Sequence, residues 1–372
     1  MAGQPEWRLA FVLPNLCLRD FHSTPAQLTL GLEGIAIVPA SDPRVSEIRE
    51  WSSAADKVLD CFRDDYRQVI IPSVLIIRED WDSDLHRRAA PLIAFRNAVA
   101  AASVLPARAS WSHERFTLSW GSYWSDPFDH HPIQLGLDGS YWHMLSPALK
   151  HVAVPLDGLT LTTNPSIPRR NVRVLDQQLA DRLGRLWRRR YRQNRDIQKI
   201  RRVFRSLEAA YEALAMRFKN YESLSELGLG AVPWATAVEI LASPAKENVS
   251  KWDCVRLIGR APHARTRQVE RKTYWAKHRG RRRPLTLAQK TFLHIYEARN
   301  KFVHGDRVSR KLLLPYRKGT LPLLSMASTV YRVAVISYLQ EHWPWEMPTG
   351  NPILLADEMT YDHHLLKAVG KA

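Results

Sequence analysis

The chain has 372 residues, 45% of them hydrophobic and 24% charged, which is long enough for two cores and too apolar for wholesale disorder. Lys and Arg outnumber Asp and Glu by 54 to 37, giving a net charge of +17, a balance that favours a polyanionic partner, nucleic acid first, with a basic but ligand-free surface as the plain alternative. Three cysteines, Cys17, Cys61 and Cys254, lie far apart with no paired spacing, so neither a disulfide framework nor a thiolate metal site is indicated and a reducing cytoplasm fits.

Residues 1–175 mix short apolar runs (Leu9 to Leu13, Leu28 to Val38, Val69 to Ile77, Leu159 to Thr163, Val172 to Leu175) with helical patterns near 45–63 and 84–104. Strand-like runs broken by Pro, Gly and Asp beside two helices predict an α+β domain, its role unknown, a sensor or regulatory domain being one reading. The stretch Leu9 to Leu18 contains Pro14 and Asn15 and runs into Arg19 and Asp20, which argues against a secretory signal. Val69 to Ile77 is the longest apolar run and is of strand length, short of the roughly 20 residues that cross a membrane. The expectation is a soluble, cytoplasmic protein with no membrane partner.

From 176 the strand signals give way to helical periodicity. Residues 176–345 read as an all-α bundle carrying a basic insert at 263–284, and 346–372 as a C-terminal tail. Its elements are one or two basic helices over 176–219, a short helix 233–243 with Pro233 in its first turn, a helix 247–259, a helix 286–304 ending before Gly305, and a helix 321–341. Short connections between such helices imply a bundle.

Two basic tracts frame it. The first runs from Arg182 to Arg205 and includes Arg188, Arg189, Arg190 and Arg192; the second runs from Arg265 to Arg283 and ends in Arg281, Arg282 and Arg283. Trp187, Tyr191, Tyr274 and Trp275 are interleaved with these cations, an arrangement that single-stranded nucleic acid uses for stacking and backbone contact. Solvated helix faces and a flexible loop would give the same composition.

One segment carries chemistry. Residues Arg299, Asn300, Lys301, Phe302, Val303, His304 and Gly305 close the 286–304 helix. Phe292, Ile295, Tyr296, Arg299 and Val303 share a stripe at spacings of three and four, so a guanidinium sits where the pattern wants an apolar group. A charge there needs a partner or a purpose. Five residues would turn His304 about 140° from Arg299 on an ideal helix; Gly305 ends the helix and frees both side chains to converge on one cleft. The helix dipole favours an imidazolium at that end. The same gap recurs at Arg108 and His113, and wider ones at Arg256 and His263 and at Arg271 and His278, so the periodic helix, the adjacent Asn and the closing Gly set the 299–304 segment apart.

These residues resemble the HEPN superfamily, whose ribonucleases carry an Arg, four to six residues, then His, often with a polar residue after the Arg. The Apea-like branch is the nearest likeness, through Arg299 to Gly305 and through Trp234 to Leu241, similar to that family's helix bearing a Glu, here Glu239. The resemblance covers roughly 200–342; the insert at 263–284 departs from it. It implies a homodimer with two facing motifs and metal-independent endoribonuclease chemistry without a cofactor. In that chemistry the ribose 2′-OH attacks the neighbouring phosphorus, His304 moves protons and Arg299 stabilises phosphoryl charge. Asn300 would orient the phosphate or the opposing His, and Glu239 either orients Arg299 or forms a buried ion pair serving only the fold. Lys301 joins Arg188, Arg189, Arg190, Arg192, Arg281, Arg282 and Arg283 as an RNA-binding candidate. The family further implies a prokaryotic toxin or antiphage effector, with RNA, tRNA included, as substrate and an antitoxin or trigger protein as partner. The alternatives are a noncatalytic RNA-binding or dimerising HEPN protein and duplex DNA binding through the basic helices.

Asp129, His130 and His131, and Asp362, His363 and His364, look like metal ligands but lack further carboxylates at useful spacing, so no metal is expected. Trp111, Trp120, Trp124 and Trp142 crowd one region, as half-buried strands packing aromatics or as a ligand pocket.

Overall fold

The computed structural model describes residues 5–14, 16, 34–62, 69, 71–78, 85–111, 128, 133–135, 142–146, 149–152, 175–195, 197–215, 224–243, 248–261, 274–316, 323–344, 361 and 364–366. The chain divides into two compact units, residues 1–99 with 125–175 and residues 100–124 with 176–372. The expected boundary at 175/176 coincides with one of these divisions, whereas the segment from Ala100 belongs to the second unit.

In the first unit, β1 (Trp7–Leu13), β2 (Ile35–Pro39) and β3 (Ser73–Arg78) form an antiparallel sheet in the order β1-β3-β2. The β1 register shifts between Leu9 and Phe11. Helices α1 (Pro43–Trp51) and α2 (Ser53–Asp60) cover one face, where Leu9, Val12, Val38, Val74 and Ile76 meet Val45, Ile48, Val58 and Leu59. A second antiparallel sheet joins β4 (Ile133–Leu135), β5 (Trp142–Ser146) and β6 (Leu149–Val152) in that order. The N-terminal part is therefore α+β. The 45–63 pattern resolves into two helices because Ser52 caps the second, its hydroxyl accepting the Ala55 N–H. The runs 159–163 and 172–174 lie outside the described residues.

The long helix α3 (Leu85–Trp111) revises one expectation. Its stretch Ala89–Pro106 is long and apolar enough to cross a membrane by composition, and 78% of that stretch is buried, as in a core helix. Arg96 and Asn97 interrupt the run in sequence; here the Arg96 guanidinium donates to the Asn97 side chain within the buried helix.

The second unit is helical. It contains α4 (Gln177–Tyr191), α5 (Gln198–Ala215), α6 (Leu224–Ala242), α7 (Lys251–Ile258), α8 (Leu287–Val303), α9 (Arg310–Leu313) and, after a 3₁₀ turn at Leu323–Met326, α10 (Ala327–His342). α10 is buried at every position from Ala327 to Leu339 and packs on α5, α6, α7 and α8. Ser206 of α5 donates to the Ala237 carbonyl of α6 at 2.7 Å and shares a bond with Tyr331 Oη of α10 at 3.0 Å, so one hydroxyl ties three helices.

Two expectations change. Pro233 lies inside α6 instead of opening it. In the turns before it, Gly228 packs so closely that a Cβ would meet Val308 Cγ2 at 2.9 Å and Phe302 at 3.2 Å. The basic insert is not wholly a loop: β7 (Tyr274–His278) and β8 (Arg281–Leu285) form an antiparallel hairpin on an otherwise helical unit. Residues 262–273 lie outside the described residues.

Candidate active site

Helix α8 is fixed at both ends. Thr286 and Gln289 form a capping box, and the Gln289 amide also donates to the Val255 carbonyl of α7 at 2.7 Å. At the other end the Asp306 N–H reaches back to the Lys301 carbonyl at 2.7 Å and the Gly305 N–H to Phe302 at 3.2 Å, with Gly305 at φ +75°. That pair of bonds is a Schellman closure, and it makes His304 the last residue of the helical path.

Between these ends Phe292, Ile295 and Ala298 are buried, and Arg299 lies beside them. Its Nη1 donates to Asn300 Oδ1 at 2.8 Å, and its Nη2 sits 3.7 Å from Glu239 Oε2, on α6. The second distance is too long for a hydrogen bond, and the buried Nε has no hydrogen-bond partner. Arg299 also lies over the Tyr296 ring, 5.5 Å from its centre. Burial first, then the neighbouring Glu239 carboxylate, which accepts from the phenol, push the Tyr296 hydroxyl above its ordinary value. Arg299, Glu239, Asn300 and Tyr296 thus form one polar cluster between α6 and α8.

His304 faces elsewhere. It is exposed and borders a cleft of about 340 Å³, together with Tyr296, Asn300 and Lys301 of α8, Trp252 of α7 and Lys277 of β7. Arg299 and Glu239 are not among the lining residues, so the expected convergence of Arg299 and His304 on one cleft does not occur within a single chain. Asn300 joins the halves, since it holds Arg299 through Oδ1 and also lines the cleft.

Sequence reasoning missed Lys251, Lys290, Trp252 and His294, which line this cleft together with Lys277 of the second basic tract. A signal existed: Lys290, His294, Glu297 and Lys301 recur at spacings of four and three, marking a polar face of α8 opposite its buried stripe. Burial, aided by Lys290, pushes the His294 imidazole down to about 4, so it is neutral at pH 7. The cleft therefore presents four lysines, Lys251, Lys277, Lys290 and Lys301, against Glu297 and Asp306.

The RNA-binding candidates divide. Arg281, Arg282 and Arg283 are exposed along β8, and Lys301 is half-buried in the cleft. Arg188, Arg189 and Arg192 are exposed at the C-terminal end of α4. Arg190 lies over the Tyr191 and Phe204 rings at 4.8 and 5.6 Å. Trp187 is fully buried, which removes it as a stacking surface: its ring packs at 5.6 Å on Tyr191 inside the bundle. Arg189 borders a separate cleft of about 270 Å³ with Arg182, Arg185 and Trp343, which shares no residue with the first.

Among the described residues no group of three or more His, Cys, Asp or Glu could hold a metal ion. His364 is a buried core residue whose Nδ1 is 2.6 Å from Thr329 Oγ1. Asp129, His130, His131, Asp362 and His363 lie outside the described residues, as do Trp120 and Trp124. Comparison with protein-family models, with curated proteins and with solved structures returns no match.

Proposed function

We propose that the chain is a metal-independent endoribonuclease of the HEPN kind, working as a homodimer. The observation that carries this reading is the Arg299–Asn300 unit at the end of α8, with His304 one turn on, exposed, and bordering a lysine-lined cleft. Arg299 commits Nη1 to Asn300, and its Nη2, too far from Glu239 for a hydrogen bond, is a donor suited to a phosphoryl oxygen. Glu239 at 3.7 Å orients the fork without occupying it. The missing half of a site in one chain is what a second copy would supply, and exposed Val303 and Leu229, 51% and 41% accessible, give the surface beside His304 an apolar part to bury.

In this scheme the ribose 2′-OH attacks the adjacent phosphorus while His304 takes or delivers the proton, and Arg299 holds the charge gathering on the non-bridging oxygens. The products carry a 2′,3′-cyclic phosphate and a 5′-OH. RNA, tRNA included, is the substrate, and the biological role is that of a prokaryotic toxin or antiphage effector restrained by a trigger protein or antitoxin through residues 1–175. The separation of Arg299 from the cleft in one chain supports a second reading, a noncatalytic RNA-binding or dimerising protein.

Incubating the wild type and His304→Ala with total RNA and tRNA in EDTA, followed by end-group analysis, separates the two. Cleavage by the wild type alone, about 10²–10⁴-fold above the variant and leaving cyclic phosphate ends, is expected of the nuclease. Equal cleavage by both removes His304 from the mechanism, and cleavage by neither favours the binding reading or a missing trigger.

A further inference from the structure

The β7–β8 hairpin is built as a rigid arm. Its turn places Arg279 at φ +48° and Gly280 at φ +77°, the paired positive angles of a two-residue hairpin turn whose twist matches its strands. Period-two alternation sends Tyr274, Ala276 and His278 inward and Trp275 and Lys277 outward. The inner face is anchored: His278 stacks on Trp252 of α7 with ring centres 4.2 Å apart and planes 19° apart, and Leu285 is buried. The outer face has no such cover. Trp275 is 47% exposed, a large loss of apolar burial for a tryptophan, and the Arg282 guanidinium lies over its ring at 5.0 Å. The registers Trp275 with Pro284 and Lys277 with Arg282 put these four side chains on that one face.

Charge points to the occupant. From Tyr274 to Leu285 the hairpin carries Lys277, Arg279, Arg281, Arg282 and Arg283 and not one carboxylate. An apolar protein partner would not be met by such a field; a polyanion with flat apolar rings would. Lys277 belongs to the outer face and also lines the cleft that His304 borders, so the two surfaces are continuous.

We infer that the hairpin is a stacking arm that captures single-stranded RNA, Trp275 taking an unpaired base and Arg282 and Lys277 its phosphates, and that it leads the strand into the cleft beside His304. The assignment of that cleft as the cutting site rests on the nuclease reading; the capture itself does not. An indole reads the face of a base, and a duplex keeps those faces stacked inside, so the arm selects unpaired RNA.

The test is anisotropy of a short labelled 2′-O-methyl oligouridylate and of a labelled RNA duplex of equal length, with full-length wild type, Trp275→Ala and Trp275→Phe, each checked by circular dichroism. Trp275→Ala weakens single-strand binding about tenfold or more, Trp275→Phe recovers most of the loss, and duplex affinity is unchanged. The inference is overturned if Trp275→Ala stays within about twofold of the wild type, if it weakens single strand and duplex alike, or if folded Trp275→Phe binds as weakly as Trp275→Ala. Cleavage is not the readout, so a chain that cuts nothing still returns a decision.

Discussion

Two of the arginine–acid pairs among the described residues of the helical unit are built differently. Arg332 of α10 donates through Nε to Asp176 at 2.7 Å, with side chains only 9% and 2% exposed. Asp176 also caps α4 by accepting the Leu179 N–H, its own N–H reaches the Ala102 carbonyl, and Arg332 lies 3.8 Å from the centre of the Tyr361 ring. Arg299 and Glu239 are 3.7 Å apart, 26% and 16% exposed, and the arginine keeps a buried Nε without a hydrogen bond. The first pair is closed on every side, as a charge that serves the fold must be. The second is looser and partly exposed, its Nη2 too far from Glu239 for a hydrogen bond. An arginine's availability is thus legible from how completely its neighbours use it, and not from burial alone.

If that contrast is real, the two sites respond oppositely to substitution. Arg299→Ala is expected to lower RNA cleavage about 10²–10³-fold, the scale of losing one charge-stabilising group, with little change in urea unfolding. Full cleavage by a destabilised Arg299→Ala protein would make the two arginines alike. Asp176→Ala, in turn, leaves the Arg332 charge buried and is expected to lower unfolding stability by about 3–5 kcal/mol. A loss below about 1 kcal/mol in urea melts would show that this pair is no closed fastening.

A third comparison lies within α8, between His304 on the surface and His294, whose pKa burial takes from 6.5 to about 4. The unfolded chain binds the His294 proton first as pH falls, so stability is complete above pH 6.5 and declines between 6.5 and 4. The span corresponds to roughly 3 kcal/mol at most. His294→Gln should flatten that part of the curve in urea melts run across the interval; an unchanged slope would mean the imidazole is not shielded as described.

Sequence made some of this plain and hid the rest. Helix α8 was readable because Gly305 closes it and its buried stripe has helical spacing; the same stripe exposed Arg299 as a misplaced charge, whereas Glu239 was reached only through the family resemblance of 234–241. Pro233 misled because its place in a first turn is the common one, whereas here the helix already runs from Leu224. The hairpin was obscured by its own arginines, which broke the apolar alternation that marks a strand, and its turn uses Arg279 where Asn or Asp is usual. The cleft was hardest to foresee, because Lys251, Lys277 and Lys290 come from three elements and no single stretch of sequence brings them together.

The Schellman closure at Gly305 turns the interval from Arg299 to His304 into a measured length. One inserted residue within it would swing His304 by about 100° around the α8 axis and carry it about 1.5 Å along, out of its cleft. The same insertion a few residues later, beyond Asp306, would alter only the link to α9, whose first turn is capped afresh by Ser309. Deletions and insertions should therefore be forbidden on one side of that glycine and accepted on the other.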